Sequence, residues 1–455
     1  MTGAMPGSGN GPATDPPTGP PTGVLKPVTA LLIASAILML GNGLNGVLLP
    51  LRAHIDGFSG LTLGLMGSAY YAGLLAGCIV CPRIIARVGH VRAFAAFTSI
   101  ATATPLLHAM IPDPIAWALL RALNGLAFAG LFMGIESWLT AASEPATRGR
   151  VLGLYSLVHL TVVTAGMQLI GAFDARGFEL FSLVAILYSI AAVPVALTGS
   201  IVPVPPAETR LRLGWLLTVS PSAVWACLLA GVANSAFWTL SPFYGSTLGL
   251  SDQSTALFLA AGVLMGALNQ WPMGVLSDRL GRRLPLAVAG LACCLAGLGL
   301  SYAARTGNVP LAYAMVLLYG AGAFPIYTLA VAHANDLVDK GRAVEVSGGL
   351  LLVFSIGATV GPLLAALWME RAGGGAIFLH TAIAHLLIAA IMIVRIGTRP
   401  VLSRQYWARF VLVPRSTPAV FGLDPRGTPA PAPKAAVDGD APPRPTPASG
   451  SPAGG

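Results

Sequence analysis

From residue 27 to residue 396 the chain alternates between long apolar runs and short polar loops. Twelve runs stand out, near 27–50, 61–83, 92–112, 115–139, 151–173, 178–200, 222–245, 254–277, 285–305, 310–335, 346–368 and 374–396. Each is about as long as the ~20 apolar residues that cross a bilayer as a helix. Each is also too long for a barrel strand of ~10 residues. The pattern predicts an all-α polytopic membrane protein with twelve transmembrane helices. The flanks differ in composition. Residues 1–26 are rich in Pro, Gly and Thr, lack the basic start of a secretory signal, and read as a disordered tail. Residues 397–455 read as a second tail, rich in Pro and Ala and mostly disordered. In it Tyr406, Trp407, Phe410 and Val411 share a face at helical spacing beside Arg404 and Arg409. A short interfacial helix and a plain flexible chain both fit that stretch.

The two halves of the apolar region resemble each other. Asn42 and Asn234, Pro50 and Pro242, and Gly89 and Gly281 are each 192 positions apart. Gly125 and Gly320, Gly153 and Gly348, Thr164 and Thr359, and Gly166 and Gly361 are each 195 apart. Isolated Gly matches mean little in a Gly-rich chain, but a constant offset within each block points to two six-span pseudo-repeats. Repeats arranged around a central cavity are a transporter architecture. The expected units are a bundle over 27–200, a connector over 201–221 and a second bundle over 222–396.

Composition sharpens this picture. Charged residues are only 9% of the chain and hydrophobic ones 55%, against about 25% charged in soluble domains. A soluble enzyme and a disordered chain are both excluded. The net charge of +9 is no nucleic-acid signal, because the basic residues are scattered in loops without a stripe or interleaved aromatics. Their distribution reports topology instead. Of 26 Lys and Arg, 21 fall in the termini and the loops on the same side as the termini, and 4 on the other side. Arg121 lies within a span. The positive-inside rule then predicts both termini in the cytoplasm. The five cysteines, Cys78, Cys81, Cys227, Cys293 and Cys294, all sit in apolar stretches. Cys78-x-x-Cys81 is half a metal site without a second pair, so no metal and no disulfide framework are expected.

One loop carries a specific motif. Between spans 8 and 9 the chain reads Gly274-Val-Leu-Ser-Asp278-Arg279-Leu-Gly281-Arg282-Arg283. Glycine permits close helix packing at 274 and a tight turn at 281. Asp278 at a helix end can face another helix's N-terminus, and the arginines can pair with it or with anionic lipid. This loop resembles the signature of the major facilitator superfamily. The matching first-half loop is degenerate, with Pro82 and Ala86 where the motif has Gly and Asp, but it keeps Arg87 and Gly89. The resemblance implies a cytoplasmic latch between the halves, here reduced to Asp278, which is expected to face the N-terminal end of span 5 near Arg148 and Arg150. Arg121-Ala-Leu-Asn-Gly125 in span 4 is similar to an element of proton-coupled exporters. Gly134-Ile-Glu136-Ser-Trp138 and Ala332-His333-Ala-Asn335-Asp336 resemble the YcaD-like bacterial branch. His333 and Asp336 are then expected to join the cytoplasmic gate.

Ionisable groups inside spans are expensive and mark function by default. Arg121 is either a fixed cation facing a cavity or a side chain snorkelling to the outer interface. Glu136 lies fifteen residues on, ~22 Å along a helix, too far to pair with it. It is expected to bond to Arg83, Arg87 or Arg148 in a structural or gating role, with proton carriage the alternative. His159 is a proton-site candidate or a hydrogen-bonded packing residue. His380 and His385 read as packing residues, and His108-x-x-x-x-Asp113, despite its acyltransferase spacing, as coincidence. Spans 1, 4, 7 and 10 line the cavity in the family that the chain resembles. That points to Asn42 and Asn45 on one face of span 1 and to Asn234 and Trp238 on one face of span 7. Asn124, Gln168, Asn269, Gln270 and Tyr327 are further cavity candidates, each also able to serve as an interhelical hydrogen bond.

The chain carries no Gly-x-x-x-x-Gly-Lys-Ser/Thr loop, so ATP is not the expected energy source within it. The expectation is a monomeric secondary transporter of a small solute in the bacterial cytoplasmic membrane, coupled to protons, working in export and needing no cofactor. Uptake of a polar or anionic metabolite is the alternative. A non-transporting receptor or assembly factor on the same fold is a further one. Catalytic constellations are absent from the spans, so an enzyme is not expected.

Overall fold

The computed structural model describes residues 22–144, 147–197, 212–338, 342–398, 410–411 and 414–424. Thirteen helices are formed by these residues: α1 (Thr22–Ile55), α2 (Gly60–Val88), α3 (His90–Met110), α4 (Pro114–Ala142), α5 (Arg148–Gln168), α6 (Glu179–Leu197), α7 (Leu213–Val219), α8 (Pro221–Thr247), α9 (Asp252–Leu280), α10 (Arg283–Thr306), α11 (Val309–Asn335), α12 (Ala343–Ala372) and α13 (Ala376–Thr398). Twelve are long and apolar enough to cross a membrane. The short α7 falls where a plain connector is expected and leads directly into α8. The protein is a multi-pass membrane protein. Large apolar side chains such as Leu119, Leu197 and Leu295 stay exposed on its outside, where lipid is the solvent.

The helices start and stop for local reasons. Ser59, Asp113, Ser251 and Asn308 each accept a hydrogen bond from a backbone N–H in the first turn that follows, satisfying donors the helix leaves orphaned. Asp113 of the acyltransferase-like spacing is thus a helix cap. Several helices overrun the apolar runs by a turn. α2 continues through Arg83 and Arg87 to Val88, and α1 through Arg52 and His54 to Ile55, because polar ends can stay helical in the interfacial region.

The repeat seen in the residue offsets is a repeat of packing. α1 packs on α5 and α6, and α2 on α4; correspondingly α8 packs on α12 and α13, and α9 on α11. Two of the matched glycine pairs sit at these crossings. A Cβ on Gly125 would run into the Tyr70 carbonyl oxygen, and one on Gly320 into that of Gly262. Gly166 meets the Leu40 carbonyl in the same way and Gly361 that of Val232. In lipid, helices associate through such close backbone approach. Gly89 (φ 85°, ψ 159°) and Gly281 (φ 85°, ψ 160°) end α2 and α9 in the same conformation, one that glycine alone adopts readily.

The loops after α1, α3, α8, α10 and α12 lie at one end of the bundle, here the distal end. The N-terminal side of α1 and the Arg-rich loops after α2 and α9 lie at the proximal end. At the distal end the two halves touch. Gly64 of α2 abuts Ala366 and the Pro362 carbonyl of α12, and Gly60 abuts the Met369 side chain. His54 and Phe243 pack edge to face at 4.9 Å.

Candidate functional site

Between the halves lies a cavity of about 210 Å³, walled by α1, α2, α4, α5, α8, α9, α11 and α12. That volume suits a small organic molecule. Of the residues selected from sequence, Asn42, Asn45, Arg121, His159, Asn234, Trp238 and Gln270 line it. The carbonyl oxygens of Asn45, Asn234 and Gln270 are buried without a hydrogen-bond partner, although buried acceptors normally find one. Asn45, Asn234 and Gln270 thus bring amide side chains to the wall, with their carbonyl oxygens covered by protein. Arg121 points into this space. Its guanidinium lies 4.1 Å over the Tyr70 ring, and its closest polar contact, at 3.5 Å, is the Asn124 carbonyl oxygen.

The other cavity candidates hold helices together. Asn124 donates to Thr104 Oγ1 at 2.9 Å and Asn269 to the Ala321 carbonyl at 2.8 Å. Gln168 donates to the Ala256 carbonyl at 3.2 Å and accepts from Gln253 at 3.0 Å, joining α5 to α9 at the distal contact between halves. Tyr327 is buried against Phe354, ring centroids 5.2 Å apart. His385 gives its Nδ1 to the Thr381 carbonyl at 2.7 Å, and His380 is buried beside it on α13.

The proximal mouth of the cavity holds a part of the chain that the sequence pattern does not mark. Residues 414–424 run between the halves, packed on α4 and α5 of the first and α12 of the second. A short 3₁₀ turn, Pro418–Leu423, buries Val420, Phe421 and Leu423. Pro414 and Arg415 form part of the cavity wall, and the Arg415 guanidinium sits 5.3 Å from the Phe324 ring and 5.4 Å from the Phe354 ring. Ser416 and Thr417 donate hydrogen bonds to the Glu136 carboxylate, which also accepts one from Tyr155 Oη at 3.2 Å. The expected pairing of Glu136 with a loop arginine is thus replaced by three hydroxyls, and Arg148 Nε is left without a partner. The signal available in sequence was faint: the Ala-Val-Phe-Gly-Leu run from 419 to 423 inside a Pro-rich tail. Residues 401–409, which contain most of the interfacial-helix stretch, lie outside the described residues. Phe410 and Val411 are described and are not helical.

The motif loop is braced within its own half. Arg282, 1% exposed in its side chain, is bonded to Asp278, to Ser277 Oγ at 2.6 Å and to Asp336 at 3.1 Å. Arg283 donates to the Arg395 carbonyl, Arg279 follows at the end of α9, and His333 meets Ser222 at 3.1 Å. Asp278 therefore does not pair with Arg148 or Arg150 at the start of α5. Arg282, one turn on, captures its carboxylate, and its second oxygen accepts from the Phe410 backbone N–H at 3.5 Å. Gly274 leaves room for the Phe410 ring. In the degenerate first-half loop Arg87 is exposed. Among the described residues no cluster of His, Cys, Asp or Glu is arranged to hold a metal.

The family model described as Major Facilitator Superfamily matches residues 31–349. An uncharacterised MFS-type transporter of Enterobacter sp. (strain 638) is 25% identical over 377 residues, covering 82% of this chain and 97% of its own. One of Yersinia enterocolitica is 27% identical over 361 residues, 78% of this chain and 92% of its own. The transporter YcaD of Salmonella typhi is 24% identical, 82% and 97% covered. Among solved structures, a bacterial homologue of the human lysosomal transporter Spinster, inward-facing and occupied, superposes with a TM-score of 0.68 at 16% identity, covering 82% of this chain and 96% of its own. The nucleoside transporter NupG gives 0.66 at 14% identity, covering 82% and 100%. At these identities the two structures speak for the fold.

Proposed function

The chain belongs to the major facilitator superfamily of secondary transporters, and from its cavity we propose proton-coupled export of a small solute across the bacterial cytoplasmic membrane by alternating access. The observation that carries this is the cavity itself. It is walled by both halves, sealed distally by contacts such as Gly64 on Ala366, and bounded proximally by Arg415. A site at the interface of two repeats that rock against each other is what alternating access needs. The proximal end is the cytoplasmic one by the 21-to-4 distribution of basic residues.

Support for proton coupling comes from a line of groups between cavity and mouth. His159 lines the cavity, its ring centroid is 6.2 Å from that of Tyr155, and Tyr155 bonds to Glu136. Glu136 is fully buried and takes its hydrogen bonds from hydroxyls rather than from a basic side chain. A carboxyl group buried within a span is costly, and such groups recur in proton relays. The test is a pH-gradient assay in inside-out vesicles. Addition of a transported solute dissipates the gradient, and Glu136→Gln lowers that response by a larger factor than it lowers solute exchange. Exchange with an unchanged proton response in the variant would remove Glu136 from the coupling path. Uptake of an anionic metabolite is the second reading, favoured by the two arginines on the cavity wall.

A further inference from the structure

We infer that the cavity takes an aromatic organic anion, its carboxylate or equivalent held between Arg121 and Arg415. This rests on the transport reading of the same cavity. Two arginines line the cavity and neither Asp nor Glu does. Neither guanidinium forms an ion pair with a carboxylate among the described residues. Arg121 has a ring face and a neutral amide oxygen at 3.5 Å. Arg415 has two phenyl rings, and its Nη1 is buried without a hydrogen-bond partner. Aromatic faces compensate a cation only in part, so two positive charges at membrane depth leave a deficit that one anion would fill. Guanidinium is also the side chain best matched to a carboxylate's two oxygens.

The rest of the wall sets the body of the ligand. Tyr71 and Trp238 offer ring surfaces that neither guanidinium covers. The amide side chains of Asn42, Asn45, Asn234 and Gln270 on the same wall can pair with polar substituents on that body. One of the two cations comes from the C-terminal segment, so this segment is a lid that carries half of the anion site. Its position is fixed by Glu136, which draws on Ser416 and Thr417 and leaves the neighbouring Arg415 free to face the cavity. An interior-negative membrane potential drives an anion outward, in keeping with export.

The experiment is binding to the full-length protein in nanodiscs, followed by calorimetry and by intrinsic tryptophan fluorescence. The probes are matched series built on benzoate, 4-hydroxybenzoate, cinnamate and indole-3-carboxylate, each with its neutral amide and its methylamine analogue. The expected result is that the carboxylate of at least one series binds tenfold or more tighter than its amide, and that the amine does not bind. Arg415→Gln and Arg121→Gln each abolish the preference for carboxylate over amide. Arg121→Lys keeps part of it, which separates lost charge from lost folding. Equal or tighter binding of amides or amines overturns the inference, as does failure of every carboxylate to bind at millimolar concentration. Flux in proteoliposomes separates the two levels. Carriage of neutral solutes alone leaves transport standing and removes the anion site. Carboxylate binding without flux leaves the site standing and removes transport.

Discussion

Ser416 donates a hydrogen bond to the carboxylate of Glu136, 280 positions earlier in the chain. This bond and its neighbour from Thr417 fasten the C-terminal segment to α4, in the first half. The same segment lays Arg415 against Phe324 of α11 and Phe354 of α12, in the second half. At the proximal end a strap therefore spans two bodies that must separate and approach during transport. A hydrogen bond to the Glu136 carboxyl group contributes about 1.5–3 kcal/mol when the group is ionised and about 0.5–1.5 kcal/mol when it is neutral.

Glu136→Gln keeps the size and one acceptor oxygen but turns the other into an NH2 group that cannot accept from a hydroxyl. The loss of ~1–2 kcal/mol shifts docking of the strap by roughly 5–30-fold. Trypsin reads this directly, because the Arg415–Ser416 bond is protected while Ser416 is buried on Glu136. Cleavage at Arg415 in proximal-side-out vesicles is expected to accelerate several-fold in the variant. An unchanged rate would show that the carboxylate does not hold the strap.

The fold was legible because its signals are long or repeated. A run such as 346–368 is uncharged throughout, and the 195-residue offset of Gly125 and Gly320 records one crossing built twice. The helical face shared by Asn42 and Asn45 was legible from their spacing alone. What escaped was contact between parts distant in sequence. Asn124 and Gln168 look like cavity residues until Thr104 and Gln253 are seen to take their hydrogen bonds. Asp278 looks free for the other half until Arg282, one turn away, is seen to hold it. The strap has three buried apolar residues between prolines and no periodicity, so its register is set by Glu136 and not by any pattern of its own.

The two loop glycines make a paired prediction. At φ 85° with ψ near 160°, a residue with a Cβ pays about 1–3 kcal/mol of backbone strain. Nothing lies within 4 Å of a Cβ built on Gly89, so strain is the whole effect there. Gly89→Ala and Gly281→Ala are each expected to lower the melting temperature in detergent by a similar few degrees. A loss at Gly281 alone would mean that the motif loop, not the backbone conformation, sets the requirement.

Arg282 and Asp336 form a buried pair, with side chains 1% and 3% exposed. Removing one partner of such a pair costs about 3–5 kcal/mol, whereas replacing both by apolar residues is often close to neutral. Arg282→Met is therefore expected to cost most of that range in thermal stability, and Arg282→Met with Asp336→Leu to recover a large part of it. Asp278 and Ser277 also lose a partner in both variants, so recovery should be incomplete. Equal stability of the single and double variants would mean that Asp336 does not depend on Arg282.

The distal seal must break for a solute to leave on that side. Gly60 of α2 and Met369 of α12 touch across the two halves there, and neither residue lines the cavity. Gly60→Cys with Met369→Cys, on a background with the half-buried Cys78 replaced by Ser, places two thiols within reach of a short bis-methanethiosulfonate, which joins them through reducible disulfides. Cross-linking should stop net flux while leaving proximal access to the cavity intact, and reduction should restore it. Ligand binding from the proximal side should still register by calorimetry, which separates a locked seal from a damaged site. If the cross-linked protein carries solute at the uncross-linked rate, the α2–α12 contact is not the gate, and the path out would have to run between other helix pairs.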